Sequence, residues 1–161
     1  MNFKKNCFKR LLVLALLILA ASHASKAWAQ GGAGLRAGAS LDPDQFYLGG
    51  HLEMGPLIER LWFRPNLEIG IGSNRTLVAF NGEFTYWFPL ERNEWSVYVG
   101  AGPALNLIRF DEDRIGNRGT EAEGGFNIFL GLGHSDGLFT ELKVGALRSP
   151  ELKFGVGYTF R

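Results

Sequence analysis

The sequence predicts an all-β fold, an eight-stranded antiparallel up-and-down transmembrane β-barrel. Eight segments of the 161-residue chain alternate with a period of two residues, which is typical of strands that have two different faces. Most of these segments are longer than the mean of about 5–6 residues for strands of soluble proteins, and they match the roughly 9–11 tilted residues that cross a bilayer. Within the segments, charged side chains occupy only one of the two faces.

The first 29 residues differ in character from the rest of the chain. A basic start is followed by an unbroken apolar run over 11–21 and by Ala27 and Ala29, two small residues two positions apart. This arrangement is typical of a secretory signal peptide. Eleven apolar residues are about half of the roughly 20 that a spanning helix needs, which argues against an anchor. We therefore predict cleavage after Ala29, with a signal peptide over 1–29 and one barrel domain over 30–161.

Charge and cysteine content exclude two classes of function for the predicted mature chain. Without the five basic residues of the leader, 12 Lys and Arg remain against 16 Asp and Glu, a net charge of −4. Nucleic-acid binding needs a basic face, so no nucleic-acid partner is expected. The one cysteine, Cys7, lies in the leader, so neither disulfides nor thiol chemistry are expected after export.

The first four predicted strands cover 33–41, 46–54, 60–72 and 76–88. In each of them one parity is apolar, as with Phe80 and Phe84 in the fourth. The apolar parity of the third continues across Pro65, so we predict one strand with a bulge or local break at that proline. A short helix over 56–62 is the competing interpretation, because Pro56 suits a first helical position.

The last four predicted strands cover 95–110, 125–133, 138–147 and 151–161. The final two alternate most clearly, with Leu142 and Val144 on one face against Glu141 and Lys143 on the other. Short turns connect the strands, with one exception. The polar segment 111–123 is predicted to be a longer loop, and it is where we expect any contact with a partner.

Charge separates the two faces of these strands. Away from the strand ends, the apolar parity carries no charged residue, whereas the other parity carries four bases and four acids. A membrane barrel places its apolar face in lipid and its charged face in the lumen. Enclosed charges are costly unless they are paired, so we predict a salt-bridge network that plugs the lumen. Its members are Arg36, Glu53, Arg64, Glu68, Glu83, Glu141, Lys143 and Lys153.

Glycines and aromatic residues favour the same orientation. The glycines lie mainly on the charged parity, where the lumen of an eight-stranded barrel has room for few large side chains. Aromatic residues on the apolar parity gather near the strand ends, as expected at the two membrane–water interfaces.

The last predicted strand carries a pattern found in one class of membrane proteins. Within KFGVGYTF, the residues Lys153, Gly155, Tyr158 and Phe160 resemble the terminal β-signal by which the insertion machinery recognises outer-membrane barrels. From about Gly34 to Phe160 the chain resembles the small outer-membrane β-barrel domain family, a porin-like group of eight-stranded proteins. The resemblance implies an outer-membrane location in a Gram-negative-type envelope. It also implies membrane lipid and the barrel-insertion machinery as partners.

Few residues suggest catalysis. His51 shares a parity with Glu53, but side chains two apart in a strand are not in direct contact, so we predict a buried structural imidazole. His134, Ser135 and Asp136 are the residue types of a hydrolase, yet they are adjacent in the chain and are predicted to form a hairpin turn. The His and Cys residues do not have the spacing of metal ligands, so we predict no metal. The glycine pairs Gly70/Gly72 and Gly100/Gly102 lack the βαβ setting that dinucleotide binding requires, so we predict no cofactor.

We expect a non-enzymatic barrel with a structural or binding role and a ligand that the sequence does not identify. Three alternatives are open at this stage. A narrow porin-like channel for ions or small solutes needs a continuous water path through the lumen. A lipid-modifying enzyme needs His51 or His134 beside a serine and an acid at the membrane face. A secreted soluble carrier needs an apolar interior.

Overall fold

The computed structural model describes residues 31–42, 44–72, 75–91, 94–110 and 120–160. The predicted signal peptide over 1–29, with its cleavage site, lies outside the described residues. The strands are β1 (Gly32–Leu41), β2 (Gln45–Ile58), β3 (Leu61–Gly72), β4 (Arg75–Pro89), β5 (Trp95–Phe110), β6 (Thr120–His134), β7 (Leu138–Leu147) and β8 (Leu152–Phe160). Within this part of the chain, no helix is long and apolar enough to cross a membrane.

The eight strands form one closed antiparallel barrel. Each strand pairs with the next along the chain, and β8 pairs with β1 to close the sheet. Arg36 of β1, for example, lies opposite Gly49 of β2 and Gly157 of β8. Closure pairs the backbone groups that an open sheet would leave at its edges, which lipid does not tolerate. The predicted fold class is confirmed.

The two parities of the strands point in opposite directions, as the charge pattern predicted. Phe84, Leu142 and Val156 lie on the outer surface, with 45–47% of each residue exposed. Glu83 and Lys143 point into the barrel and are at most 1% exposed. The apolar side chains thus form the outer surface and the ionised side chains lie inside. This is the reverse of the arrangement in a soluble protein.

The third strand differs from its prediction at Pro65. Pairing with β4 is continuous through Pro65, which lies opposite Gly82, and the β2 register is the same on both sides of the proline. The predicted bulge at Pro65 is therefore absent, but the pairing with β2 is interrupted there, between the His51–Asn66 and Met54–Phe63 pairs. The one shift of the β2–β3 register lies elsewhere, between Met54 and Ile58. A proline lacks one N–H, which removes a single rung of a ladder without changing the register.

The competing helix over 56–62 was also wrong. Residues 56–58 belong to β2, residues 59–60 form a turn, and residues 61–62 begin β3. Pairing with β3 continues to Ile58, opposite Leu61, so strand hydrogen bonding overrides the local suitability of Pro56 for a helix start.

The predicted loop over 111–123 was too long at its C-terminal end. Residues 120–123 belong to β6 and pair with 106–109 of β5. These four residues include Thr120, Glu121 and Glu123, so this part of the hairpin is polar and does not alternate in the manner of a half-buried strand. Residues 111–119 of the predicted loop lie outside the described residues.

The up-and-down topology defines two ends of the barrel. The chain enters β1 and leaves β8 at the same end, called here the inner end, which also carries the turns at 59–60 and 135–137. The opposite end, called here the outer end, is where β1, β3, β5 and β7 end and where β2, β4, β6 and β8 begin, and it carries the turn at 148–151.

Candidate functional site

The middle of the lumen holds a network of buried charged side chains, called here the lumen network. It links Arg36, Arg64, Lys143 and Lys153 to Glu68, Glu83 and Glu141. None of these seven residues is more than 4% exposed. They come from five strands, so the network crosses the barrel from wall to wall. Glu53, the eighth predicted member, is also buried and lies on β2.

Two glutamates lie where three bases converge. Glu141 pairs with the Arg64 guanidinium, and its Oε1 lies 3.6 Å from Arg36 Nη1 and 3.4 Å from Lys143 Nζ. Glu83 pairs with Lys143, and its Oε2 lies 3.7 Å from Arg36 Nη1 and 3.9 Å from Arg64 Nε. Because each of these two carboxylates is shared, removing Arg36, Arg64 or Lys143 changes the surroundings of both.

The third glutamate extends the network toward the outer end. Glu68 Oε1 accepts a hydrogen bond of 3.2 Å from Arg36 Nη1 and lies 3.6 Å from Lys143 Nζ. Its other oxygen pairs with Lys153. Lys153 Nζ in turn lies 4.8 Å from the centre of the Tyr47 ring. Through Glu68, β3 is joined to β1, β7 and β8.

Aromatic side chains lie beneath the network, on the side of the inner end. Tyr98, Phe129 and Phe139 form a buried cluster against which Trp87 packs. The Arg64 guanidinium carbon lies 4.9–5.5 Å from the centres of all three clustered rings, within the range of cation–π attraction. Tyr98 also donates a hydrogen bond of 3.0 Å to Glu141 Oε2. The cluster therefore fills the lumen and holds Arg64 in place.

Each of the three clustered rings lies over a glycine on the neighbouring strand. Tyr98 is opposite Gly131, and Phe129 is opposite Gly100. Phe139 is likewise opposite a glycine, Gly157. A Cβ atom at any of these glycines would overlap the ring that covers it. The glycines on the charged parity thus provide the space that lets aromatic side chains close a narrow lumen.

Three asparagines form a ladder of amide hydrogen bonds across the lumen. Asn81 Nδ2 donates to Asn66 Oδ1 at 2.7 Å, and Asn127 Nδ2 donates to Asn81 Oδ1 at 3.0 Å. All three side chains are buried. This ladder joins β3, β4 and β6, and it was not predicted from the sequence. Its only signal was the presence of amides on the charged parity.

The connection between β7 and β8 folds over the outer mouth of the lumen. Pro150 is buried, and a Cβ atom at Gly145 or Gly125 would run into Ser149. Asn106 Nδ2 donates a hydrogen bond of 2.8 Å to the Arg148 carbonyl, and Arg148 forms an ion pair with Glu123. A cavity of about 330 Å³ is left at this mouth.

The two histidines of the described chain lie in different surroundings. His51 is buried, its Nε2 lies 2.9 Å from Thr159 Oγ1, and its ring meets Phe139 edge-on at 5.2 Å. His134 lies at the inner end, where its Nε2 is 3.0 Å from Glu94 and its Nδ1 is 2.7 Å from Asp136. Residues 135–136 form the turn that the sequence predicted.

Asp136 is stabilised as a carboxylate in this turn. Its Oδ1 accepts a hydrogen bond of 3.1 Å from the backbone N–H of Leu138. That hydrogen bond and the neighbouring His134 hold the pKa of Asp136 below its usual value. Among the described residues, no group of three or more His, Cys, Asp or Glu side chains is arranged to hold a metal ion.

The four residues of the predicted insertion signal lie on both faces of β8. Lys153 points inward and belongs to the lumen network. Gly155 faces Tyr47, whose hydroxyl occupies the space a Cβ atom would need. Tyr158 and Phe160 are exposed on the outer surface with their ring centres 5.2 Å apart.

Known structures share this architecture. The N-terminal β-barrel domain of Pseudomonas aeruginosa OprF aligns with a TM-score of 0.60 and 18% identity, covering 81% of this chain and 100% of that one. Neisserial surface protein A (NspA) aligns with a TM-score of 0.56 and 14% identity, covering 81% and 96%. The chain has the fold of a small outer-membrane β-barrel.

A third known structure is less similar to this chain. The outer-membrane enzyme PagL aligns with a TM-score of 0.47 and 15% identity, covering 80% of this chain and 98% of that one. A likeness at that level supports no inference about chemistry. No protein-family model matches the sequence, and no curated protein matches it.

Proposed function

We propose that this protein is a structural or binding component of a bacterial outer membrane, that its lumen is closed, and that it is not an enzyme. The single observation behind the proposal is the lumen network. Seven ionised side chains, none more than 4% exposed, pair with one another across the middle of the barrel. An open water-filled pore would leave such side chains hydrated, whereas here they contact one another and the surrounding rings.

Closure is supported at three levels of the lumen. The turn at 148–151 covers the outer mouth, the lumen network fills the middle, and the aromatic cluster lies toward the inner end. Burial in a packed interior strengthens the attraction between charges, and it favours a rigid barrel over a transport path.

The outer surface supports a place in the membrane. Large apolar side chains are exposed around the whole barrel, far beyond the patch size that a protein in water tolerates. We propose outer-membrane lipid as the partner of this surface. The barrel-insertion machinery is the partner we propose for the residues Lys153, Gly155, Tyr158 and Phe160 of β8.

The positions of the histidines favour a non-enzymatic role. A lipid-modifying site would need an imidazole on the outer wall beside a serine and an acid. His51 instead lies inside the barrel against Thr159 and Phe139. His134 contacts two carboxylates at the inner end, where it links the turn at 135–137 to Glu94.

Ion conduction tests the closed lumen. We expect planar bilayers that contain the purified full-length protein to show no steady conductance, because paired charges and packed rings leave no continuous aqueous path. Protein from the same preparation must migrate differently on a gel before and after heating, which shows that the barrels are folded. A steady large conductance from folded barrels would contradict the proposal and favour a porin-like channel.

A further inference from the structure

At the outer end of the barrel, one strand edge is left without a neighbouring strand among the described residues. The pairing between β5 and β6 continues in one register up to Arg109 and Thr120. The pairing between β6 and β7 stops lower, at Gly125 and Leu147. Residues 120–124 are therefore paired on the side of β5 only, and their other side is called here the β6 edge.

The chain leaves β7 before it could cover this edge. Leu147 has a φ of 63°, a left-handed conformation that does not continue a strand. The Ser149 N–H then donates a hydrogen bond of 3.4 Å to the Ala146 carbonyl. The connection to β8 thus turns over the mouth of the lumen, where Arg148 pairs with Glu123. Strand β6 continues beyond this turn.

Hydrogen bonds at the inner end show which backbone groups of β6 point toward the β6 edge. The Ser135 N–H, directly after β6, donates to the Glu94 carbonyl at 2.9 Å, so odd-numbered residues of this strand face β5. Because the register is continuous and the direction alternates, Thr120, Ala122 and Gly124 point their N–H and C=O groups away from β5. Three donors and three acceptors in a row are the arrangement to which an extended chain adds.

The β6 edge lacks the devices that usually block such addition. Proteins protect exposed edges with proline, lysine or a bulge. The sequence of 120–124 contains neither proline nor lysine, and its pairing with β5 has no bulge. Thr120, Ala122 and Gly124 are exposed, and a Cβ atom at Gly124 would lie more than 4 Å from the described residues around it. An added strand therefore meets no steric obstacle from the described chain.

Charge determines which extended chain fits the β6 edge. Glu121 and Glu123 share the inward parity of β6 with Asn127, and Arg148 pairs with Glu123. Arg109, opposite Thr120, is on the outward parity. Toward an added antiparallel strand, residues 121 and 123 take the positions without hydrogen bonds, where side chains of the two strands are closest. A base opposite Glu121 therefore gains the attraction of a cross-strand ion pair.

A second copy of this chain fits the β6 edge poorly. Two barrels in one membrane have the same orientation, so their β6 edges would run parallel and place Glu121 beside Glu121. Like charges opposite each other destabilise a strand pair. A lipid headgroup has no linear array of donors and acceptors to match the edge. The occupant that satisfies both the backbone groups and the charge is an extended basic peptide.

We propose that the β6 edge binds an extended basic peptide segment of another protein by antiparallel strand addition. The inference deepens the proposed binding role and rests on it, because the edge must lie outside the membrane. Folded full-length protein in nanodiscs of phosphatidylcholine, a lipid without net charge, is titrated into fluorophore-labelled acetyl-Thr-Lys-Val-Lys-Thr-amide. Fluorescence anisotropy measures the dissociation constant, and nanodiscs without protein give the background.

We expect this peptide to bind about tenfold more tightly than a matched peptide with glutamate in place of both lysines. Ala122→Pro removes an N–H that points away from β5 and adds a ring at the edge. It should weaken binding about tenfold or more while the barrel stays folded, which heat-dependent gel migration checks. Methylation of the central peptide nitrogen removes the opposing donor and should have the same effect.

Two charge variants test the contribution of Glu121. Glu121→Lys should weaken binding of the lysine peptide by about three- to tenfold and make the glutamate peptide the better ligand. Glu91→Lys makes the same change at an exposed residue that follows β4 at the inner end, and it should leave both affinities unchanged.

Other results overturn the proposal. Equal binding of the two peptides would contradict a basic partner, and unchanged binding after Ala122→Pro or peptide methylation would contradict strand addition. A wild-type dimer that Ala122→Pro dissociates would assign the β6 edge to a second copy. Folded barrels that bind neither peptide would contradict this inference alone, whereas a wild-type chain that does not enter nanodiscs would contradict the proposed function.

Discussion

Replacing Arg64 with methionine should lower the free energy of unfolding by about 3–5 kcal/mol, the range for removing one partner of a buried ion pair. Arg64 pairs with Glu141, lies 3.9 Å from Glu83, and contacts the three rings of the aromatic cluster. Methionine has a similar volume but no charge, so both glutamates lose a cation while they stay buried. Urea unfolding in detergent micelles, followed by tryptophan fluorescence, measures the change.

Two further variants separate this effect from packing. Adding Glu141→Gln to Arg64→Met removes both charges of the Arg64–Glu141 pair, so the double variant should be more stable than the sum of the single effects indicates. Arg148→Met removes an exposed partner of Glu123, and should change stability by less than about 1 kcal/mol. Equal, small effects for Arg64→Met and Arg148→Met would show that the lumen network contributes little.

Replacing Leu142 with arginine should cost about 2–4 kcal/mol, the range for a cation at the bilayer midplane on the outside of a barrel. Leu142 lies near the middle of β7 and is 46% exposed on the outer wall. On a protein surface in water, the same change would stay within about 0.5 kcal/mol. Reversible urea unfolding from lipid vesicles distinguishes the two environments.

Leu41→Arg is the matched control. Leu41 is also exposed, but it lies at the outer end of β1, where a charged side chain can reach water. Its replacement should cost about 0–1 kcal/mol. If Leu142→Arg and Leu41→Arg had the same small effect, the middle of the wall would not be in hydrocarbon.

The orientation of the strands could be predicted because one local pattern determines it. Along β7, Glu141 and Lys143 alternate with Leu142 and Val144, and an antiparallel strand must place them on opposite faces. The other strands alternate in the same way. A sheet whose apolar face lies in lipid must close into a barrel, because every strand edge has to be paired. Residues adjacent in sequence therefore contain the information about which face is outside.

The pairings inside the lumen could not be predicted in the same way. Lys153 pairs with Glu68 across 85 positions of the chain, and Arg64 pairs with Glu141 across 77. Which base meets which acid depends on the register of strands distant in sequence and on the stagger of the closed barrel. The sequence predicted which residues belong to the lumen network, whereas their contacts with one another depend on the three-dimensional fold.

Features at the barrel ends were missed for a different reason. Residues 120–123 of β6 lie beyond the apolar belt, where polar and small residues suit both loops and strands. The bulge in β2 lies between Met54 and Ile58, but Pro65 is the stronger local signal because proline lacks an N–H. Pairing with the neighbouring strand determines where such a strand ends and where its bulge lies.

The environment of the outer wall is the central claim, and spin labelling measures it directly. Nitroxides are attached to Leu142→Cys, Val156→Cys and Asp136→Cys in a Cys7→Ser background, and the protein is reconstituted in lipid vesicles. Labels at 142 and 156 should collide more often with oxygen, which partitions into hydrocarbon, than with a water-soluble nickel chelate. The label at 136, in an exposed turn, should show the opposite preference. Nickel collisions at 142 and 156 as frequent as those at 136 would contradict a membrane-embedded wall.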